Sequence, residues 1–140
     1  MDLETVTAED FGRSLAGLGV NRLGRGVRGL AVFLGDVFGL SVHRMIDDFA
    51  VLRHGVVTME LHANATIRAH PLPGLLLDAG AWGAGAQFHL FGIDPDQAAA
   101  LALARGDAVP EPSSDKPHGL RESTILSPEG HAFNPAVPRA

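Results

Sequence analysis

One order of secondary-structure elements is written twice along this chain, and no other property narrows its fold as far. Residues 18–23 alternate as a strand, with Leu18 and Val20 on one side and Gly19 and Asn21 on the other. Val27, Leu30, Ala31, Leu34, Val37 and Phe38 then form one apolar stripe, which predicts a helix over 27–38 that Gly39 is placed to end. Gly29 and Gly35 weaken that helix, each by about 1 kcal/mol relative to alanine. Three short strands follow at 41–45, 49–54 and 56–63, the last two joined by a tight turn at His54-Gly55. Residues 64–85, with Pro71, Pro73 and four glycines, read as a connecting stretch with one helical turn near 75–79. The order then recurs. Residues 86–91 alternate as a strand. Asp94-Pro95-Asp96-Gln97 supplies an aspartate cap, a proline at the first helical position and a glutamine at the third. A helix over 98–105 ends at Gly106. A short strand near 108–109, a polar loop over 111–118, and a hairpin of 120–126 and 131–133 across Ser127-Pro128-Glu129-Gly130 complete the second set.

A half of this kind cannot bury its own sheet, so the two halves belong to one architecture. The expected division is an N-terminal helix and lead-in over 1–16, a first βαβββ module over 17–64, a linker over 65–83, a second module over 84–135 and an irregular tail over 136–140. The lead-in helix starts at Thr7-Ala8-Glu9-Asp10, where a threonine caps and two acids favour the positive end of the helix dipole. Its Phe11, Leu15 and Leu18 share one side.

Bulk properties exclude several classes. A chain of 140 residues favours one domain over two independent ones. The net charge is −5, and Arg22, Arg25 and Arg28 make the only basic cluster, which argues against nucleic acid as a partner. The chain has no cysteine, which removes disulfides, thiolate ligands and cysteine nucleophiles. Met1-Asp2-Leu3-Glu4 lacks the basic and apolar runs of a secretory leader, and no apolar stretch approaches a membrane span. A cytoplasmic location and no membrane partner are therefore expected.

Several local segments, in this order, resemble the vicinal oxygen chelate superfamily, which includes glyoxalases, bleomycin resistance proteins and extradiol dioxygenases. Gly17-Leu18-Gly19-Val20-Asn21 precedes a helix ending Leu34-Gly35-Asp36-Val37-Phe38-Gly39-Leu40, similar to the family's "FY-x-D-x-L-G-L" segment. Phe49-Ala50-Val51-Leu52-Arg53 leads to Met59-Glu60-Leu61-His62, similar to its "x-E-L" fourth strand. Gly92-Ile93-Asp94-Pro95-Asp96 resembles the "V-x-D-x-D" entry to the second helix. Gly119-Leu120-Arg121-Glu122, running to Ser127-Pro128-Glu129-Gly130-His131, resembles "G-x-R-…-D-P-D-G". The resemblance covers nearly all of residues 17–135. It implies an α+β fold in which two tandem βαβββ modules form curled mixed sheets around a cup, and it implies a homodimer.

Metal enzymes of that superfamily take His, Gln or Glu ligands from the first and fourth strand of each half. The matching positions here are Gly19, Glu60, Gln87 and Asn134. Glu60 and Gln87 are ligand types; Gly19 has no side chain, and Asn134 replaces a carboxylate with a neutral amide. No cofactor is the expected state. The alternative is one divalent ion (Zn, Ni, Fe or Mn) held by Glu60, Gln87, His62 and His89, with the two histidines ligating one pleat from the usual places.

Strand parity gives an independent view. Thr58, Glu60 and His62 oppose Val57, Met59 and Leu61; Gln87 and His89 oppose Ala86, Phe88 and Leu90; Asn21 sits on the Gly19 side. With the apolar sides under the helices, the hydrophilic sides hold Asn21, Glu60, His62, Gln87, His89 and Asn134, with Phe91 the phenylalanine beside them. That surface is either a merely wet sheet face or a ligand cup. Glu122 is either a second carboxylate of the cup or an exposed strand residue, and Trp82 either stacks on a ligand or anchors the linker. Ser113, Ser114, Asp115 and His118 share a loop without the strand-end context of a hydrolase triad, and His43, His54, His70, His118 and His131 take surface or turn roles.

The leading functional expectation is binding of a small organic molecule, with sequestration as in the bleomycin resistance branch. The alternative enzyme is a metal-dependent lyase, isomerase or dioxygenase with Glu60 as ligand or catalytic base. A third reading is a ligand-free interaction or regulatory dimer.

Overall fold

A computed structural model describes residues 2, 5–14, 19–24, 26–63 and 85–140. Its elements, in chain order, are α1 (Ala8–Ser14), β1 (Gly19–Gly24), α2 (Val27–Phe38), β2 (Ser41–Met45), β3 (Phe49–His54), β4 (Val57–Ala63), β5 (Gln87–Phe91), α3 (Pro95–Arg105), β6 (Glu111–Asp115), β7 (Leu120–Leu126) and β8 (Ala132–Pro138). The two modules are therefore present, each with a four-stranded mixed sheet, ordered β1-β4-β3-β2 and β5-β8-β7-β6. In each sheet the first strand runs parallel to the fourth, and the remaining pairs are antiparallel. The architecture is α+β, built from two βαβββ modules. Among the described residues no helix is long and apolar enough to cross a membrane. The helical turn expected near 75–79, Trp82 and most of the expected linker, and Leu15 and Leu18 of the lead-in, lie outside the described residues.

The chain forms two compact units, residues 1–35 with 40–76, and residues 36–39 with 77–140. In the first, alternation along β3 and β4 buries Ala50, Leu52, Met59 and Leu61 on one side of the sheet. Helix α2 buries the whole stripe read from its spacing, Val27, Leu30, Ala31 and Leu34 with Phe33 in this unit, and Val37 and Phe38 in the second. Gly39, at φ +68, supplies the left-handed residue that ends it. The other side of the sheet is partly roofed. Phe11 of α1 packs with Val51 and Phe49 of β3 and with Val6, and the Arg44 guanidinium donates to the Val6 carbonyl. Arg44 itself stands at φ +40 where the β2–β3 register shifts, so the bulge aims this side chain at the N-terminal segment.

The second unit has a different kind of core. Helix α3 lies against β6, β7 and β8. Its inner face is small, with Ala98, Ala99 and Ala102 buried beside Pro95, which lets the helix approach the sheet closely. Both of its ends follow the sequence reading. The Asp94 carboxylate accepts from the amides of Asp96 (2.9 Å) and Gln97 (3.4 Å). Gly106, at φ +85, ends it, with its amide on the Leu103 carbonyl and the Asp107 amide on that of Ala102. Arg121 of β7 forks onto Asp96 at 2.7 and 2.8 Å and reaches Asp115 of β6 at 3.2 Å, tying the helix start to two strands. The Arg121 hydrogen bond holds the Asp96 carboxyl below the usual aspartate value.

Two expectations are corrected here. The strand expected near 108–109 is instead β6 at Glu111–Asp115, inside the span read as a polar loop. Pro112 and its polar neighbours are poor strand formers, but an edge strand tolerates a missing donor, and a register shift between Glu111 and Ser114 absorbs the misfit. The hairpin's return strand also extends past 133 and past the expected tail boundary at 136. β8 runs from Ala132 to Pro138 with Pro135 opposite Leu90. Burial outweighs the local cost of proline: Ala132, Phe133, Pro135 and Ala136 are all buried.

Replacing Asp94 by alanine is expected to cost about 1 kcal/mol in urea unfolding, because two amides of the first turn lose their acceptor. Asp96 gives a separate, pH-dependent signature. Its depressed carboxyl contributes stability above the ordinary value of 3.8, lost as pH falls through the folded value. Asp96→Asn is therefore expected to melt below the native protein at neutral pH and to converge with it below that value, which thermal scans across acid pH measure.

Candidate functional site

Each unit presents one sheet face whose side chains are largely hydrophilic, and register decides who sits beside whom. In the first unit Gly19 lies opposite Thr58 and Asn21 opposite Glu60, so all four share a face with His62. The Glu60 carboxylate stands 3.6 Å from His62 Nε2, and both side chains are half-buried. The His62 ring also leans on Phe49, with centroids 4.8 Å apart. His62 therefore spends one edge on the carboxylate and one face on the roof that α1 and β3 form. A Cβ built on Gly19 meets no described residue within 4 Å.

In the second unit β5 places Gln87, His89 and Phe91 on one face, opposite Ala132, Asn134 and Ala136 of β8. Phe88 and Phe133 point to the other side, where their rings lie 5.7 Å apart and Phe133 is fully buried. His89 and Phe91 stack at 5.9 Å, and Phe91 remains 61% exposed. Glu122 of β7, opposite Ala136, shares the same face and is only 9% exposed. That burial rules out the exposed-strand reading of Glu122. His89 Nδ1 and His118 Nε2 each stand 3.9 Å from one of its carboxylate oxygens.

Two acceptors on this face have no hydrogen-bond partner among the described residues although both are buried, Glu122 Oε2 and Asn134 Oδ1. Asn134 is 3% exposed. Buried acceptors are almost always satisfied, so this pair is the most unusual chemical feature of the face.

The structure thus gathers Gln87, His89, Phe91 and Asn134 in one unit and Asn21, Glu60 and His62 in the other. His118 is exposed, as its loop context predicts, and its ring also reaches to 3.9 Å from Glu122, a proximity that turn and strand spacing do not signal. Ser113, Ser114, Asp115 and His118 form no triad: Asp115 engages Arg121, while Ser114 lies opposite Glu122.

Neither unit by itself fills the superfamily's metal-ligand positions with metal-binding side chains. The first-strand and fourth-strand positions offer no side chain and a carboxylate in one, and two neutral amides in the other. Among the described residues no three His, Asp or Glu side chains converge as metal ligands.

Comparison with solved structures gives the same fold throughout. A glyoxalase/bleomycin resistance protein/dioxygenase family enzyme from Burkholderia phytofirmans superposes with a TM-score of 0.72 at 17% identity, covering 86% of this chain and 97% of that one. A glyoxalase-related enzyme from Fulvimarina pelagi gives 0.69 at 12% identity, with 87% of each chain covered. A lactoylglutathione lyase from Agrobacterium tumefaciens gives 0.64 at 15% identity, over 87% of this chain and 92% of that one. No family model matches the sequence, and no curated protein does. The chain has the glyoxalase/bleomycin resistance/dioxygenase fold.

An unsatisfied buried amide oxygen destabilises a sheet that an apolar side chain of similar size would suit. Asn134→Leu is expected to raise the unfolding free energy by about 1 kcal/mol. Urea unfolding measures it, and a loss of stability would show that the amide is satisfied in solution.

Proposed function

We propose that this protein binds a small, partly aromatic organic molecule on the hydrophilic face of its second sheet, without an obligatory metal. The observation that carries this reading is the exposed Phe91 ring stacked on His89 beside Gln87, Asn134 and buried Glu122. Ligand sites combine apolar surface with a few placed polar groups, and this face has both. A merely wet sheet face has no reason to keep a large aromatic ring in water next to two unsatisfied acceptors. The names carried by structures of this fold, glyoxalase, bleomycin resistance protein and lactoylglutathione lyase, fit small-molecule recognition. Sequestration needs none of the metal donors that this chain lacks at Gly19 and Asn134. The proposed working form is a cytoplasmic homodimer.

The test is a thermal-shift screen of planar aromatic compounds, followed by calorimetry on those that stabilise. Phe91→Ala is expected to weaken their binding about three- to tenfold while leaving the melting temperature of the free protein nearly unchanged, since the ring is exposed. Full affinity in Phe91→Ala, or a screen without a single stabilising compound, would remove the reading. Sedimentation equilibrium is expected to give twice the 14.7 kDa chain mass.

A further inference from the structure

The unsatisfied acceptors say what the ligand must bring. Glu122 Oε2 and Asn134 Oδ1 share one sheet face, are both buried, and have no donor among the described residues. By register Glu122 lies opposite Ala136, two residues from Asn134 on the same strand, which is a diagonal pair. Such pairs stand roughly 7 Å apart, close enough for one ligand group to reach both. Resting on the ligand-binding reading above, we propose that this ligand carries a nitrogen cation, an ammonium, amidinium or guanidinium, seated between Glu122 and Asn134.

The charges of the unit support this choice. Arg121 is spent on Asp96 and Asp115, and Arg105 on Asp107 and Asp36. Lys116 pairs with Glu111, and Arg139 donates to the Lys116 carbonyl. None of these permanent cations is spent on Glu122. Among the described residues its charged neighbours are His89 from β5 and His118 from the loop before β7, each at 3.9 Å, beyond hydrogen-bond length. Asn134 Oδ1 adds a second acceptor and no charge. An anionic ligand would meet a buried carboxylate and gain nothing from either oxygen, and a neutral ligand could satisfy the oxygens but not the charge. A planar amidinium does both, and its ring could lie along the Phe91–His89 stack.

Three probes of one shape separate the possibilities: benzamidinium, benzamide and benzoate, titrated into the native protein by calorimetry at low salt. Benzamidinium is expected to bind about 10- to 100-fold more tightly than benzamide, and benzoate least of all. In Glu122→Gln the preference is expected to shrink to a few-fold while benzamide binding persists, with circular dichroism confirming that the variant is folded. Equal binding of benzamidinium and benzamide by the native protein, or preference for benzoate, would overturn the cation assignment and leave the ligand-binding reading standing. That comparison needs no variant, so an unfolded Glu122→Gln does not rescue the proposal. Failure of all three probes, alongside an empty aromatic screen, would remove both.

Discussion

The pairing on which the rest depends is parallel: β1 beside β4, and β5 beside β8. Parallel neighbours cannot be joined by a tight turn, so each module must send its chain over a helix before it can form the antiparallel remainder. This fixes which residues meet. The first strand is laid next to the last, and Asn21 comes to face Glu60 while His89 comes to face Asn134, across gaps of roughly 40 residues of sequence. Everything on the hydrophilic faces follows from that closure and from the strict alternation of side chains along each strand.

Much of this was legible in the sequence because local and global signals agreed. The stripe of α2, the capped start of α3, and the strands at 49–54 and 120–126 carry turn and capping residues at both borders, and the elements form where those residues place them. The misreadings cluster where burial overrides local preference. β6 is assembled from proline, serine and aspartate, residues that alone would stay in a loop, because β7 presents an edge for it to pair with. β8 passes through Pro135 because the residues on either side of it are buried.

The candidate site was legible in part, for the same physical reasons. Parity along β4 and β5 is a property of the strand itself, so the grouping of Glu60 with His62 and of Gln87 with His89 needed no structure. Burial depends on neighbours, and could not be read. Nothing in the sequence distinguishes Glu122, almost fully enclosed, from a solvated carboxylate, nor reveals that α1 and Phe49 roof part of the first sheet's hydrophilic face. The consequence is an asymmetry between the modules. The first has its hydrophilic face partly closed by its own N-terminal segment, while the second keeps an exposed aromatic ring beside acceptors that no described residue satisfies.

The residues around Pro135 bear on how β8 finds its register. That proline lies in a central strand, between β5 and β7, and has no amide hydrogen to give to either. Slide β8 by one residue and Asn134 changes faces, while Phe133, fully buried in the native sheet, is turned outward. The alternation of these side chains makes a wrong alignment worse than the right one. The strand that closes the second module carries its own guard against mispairing.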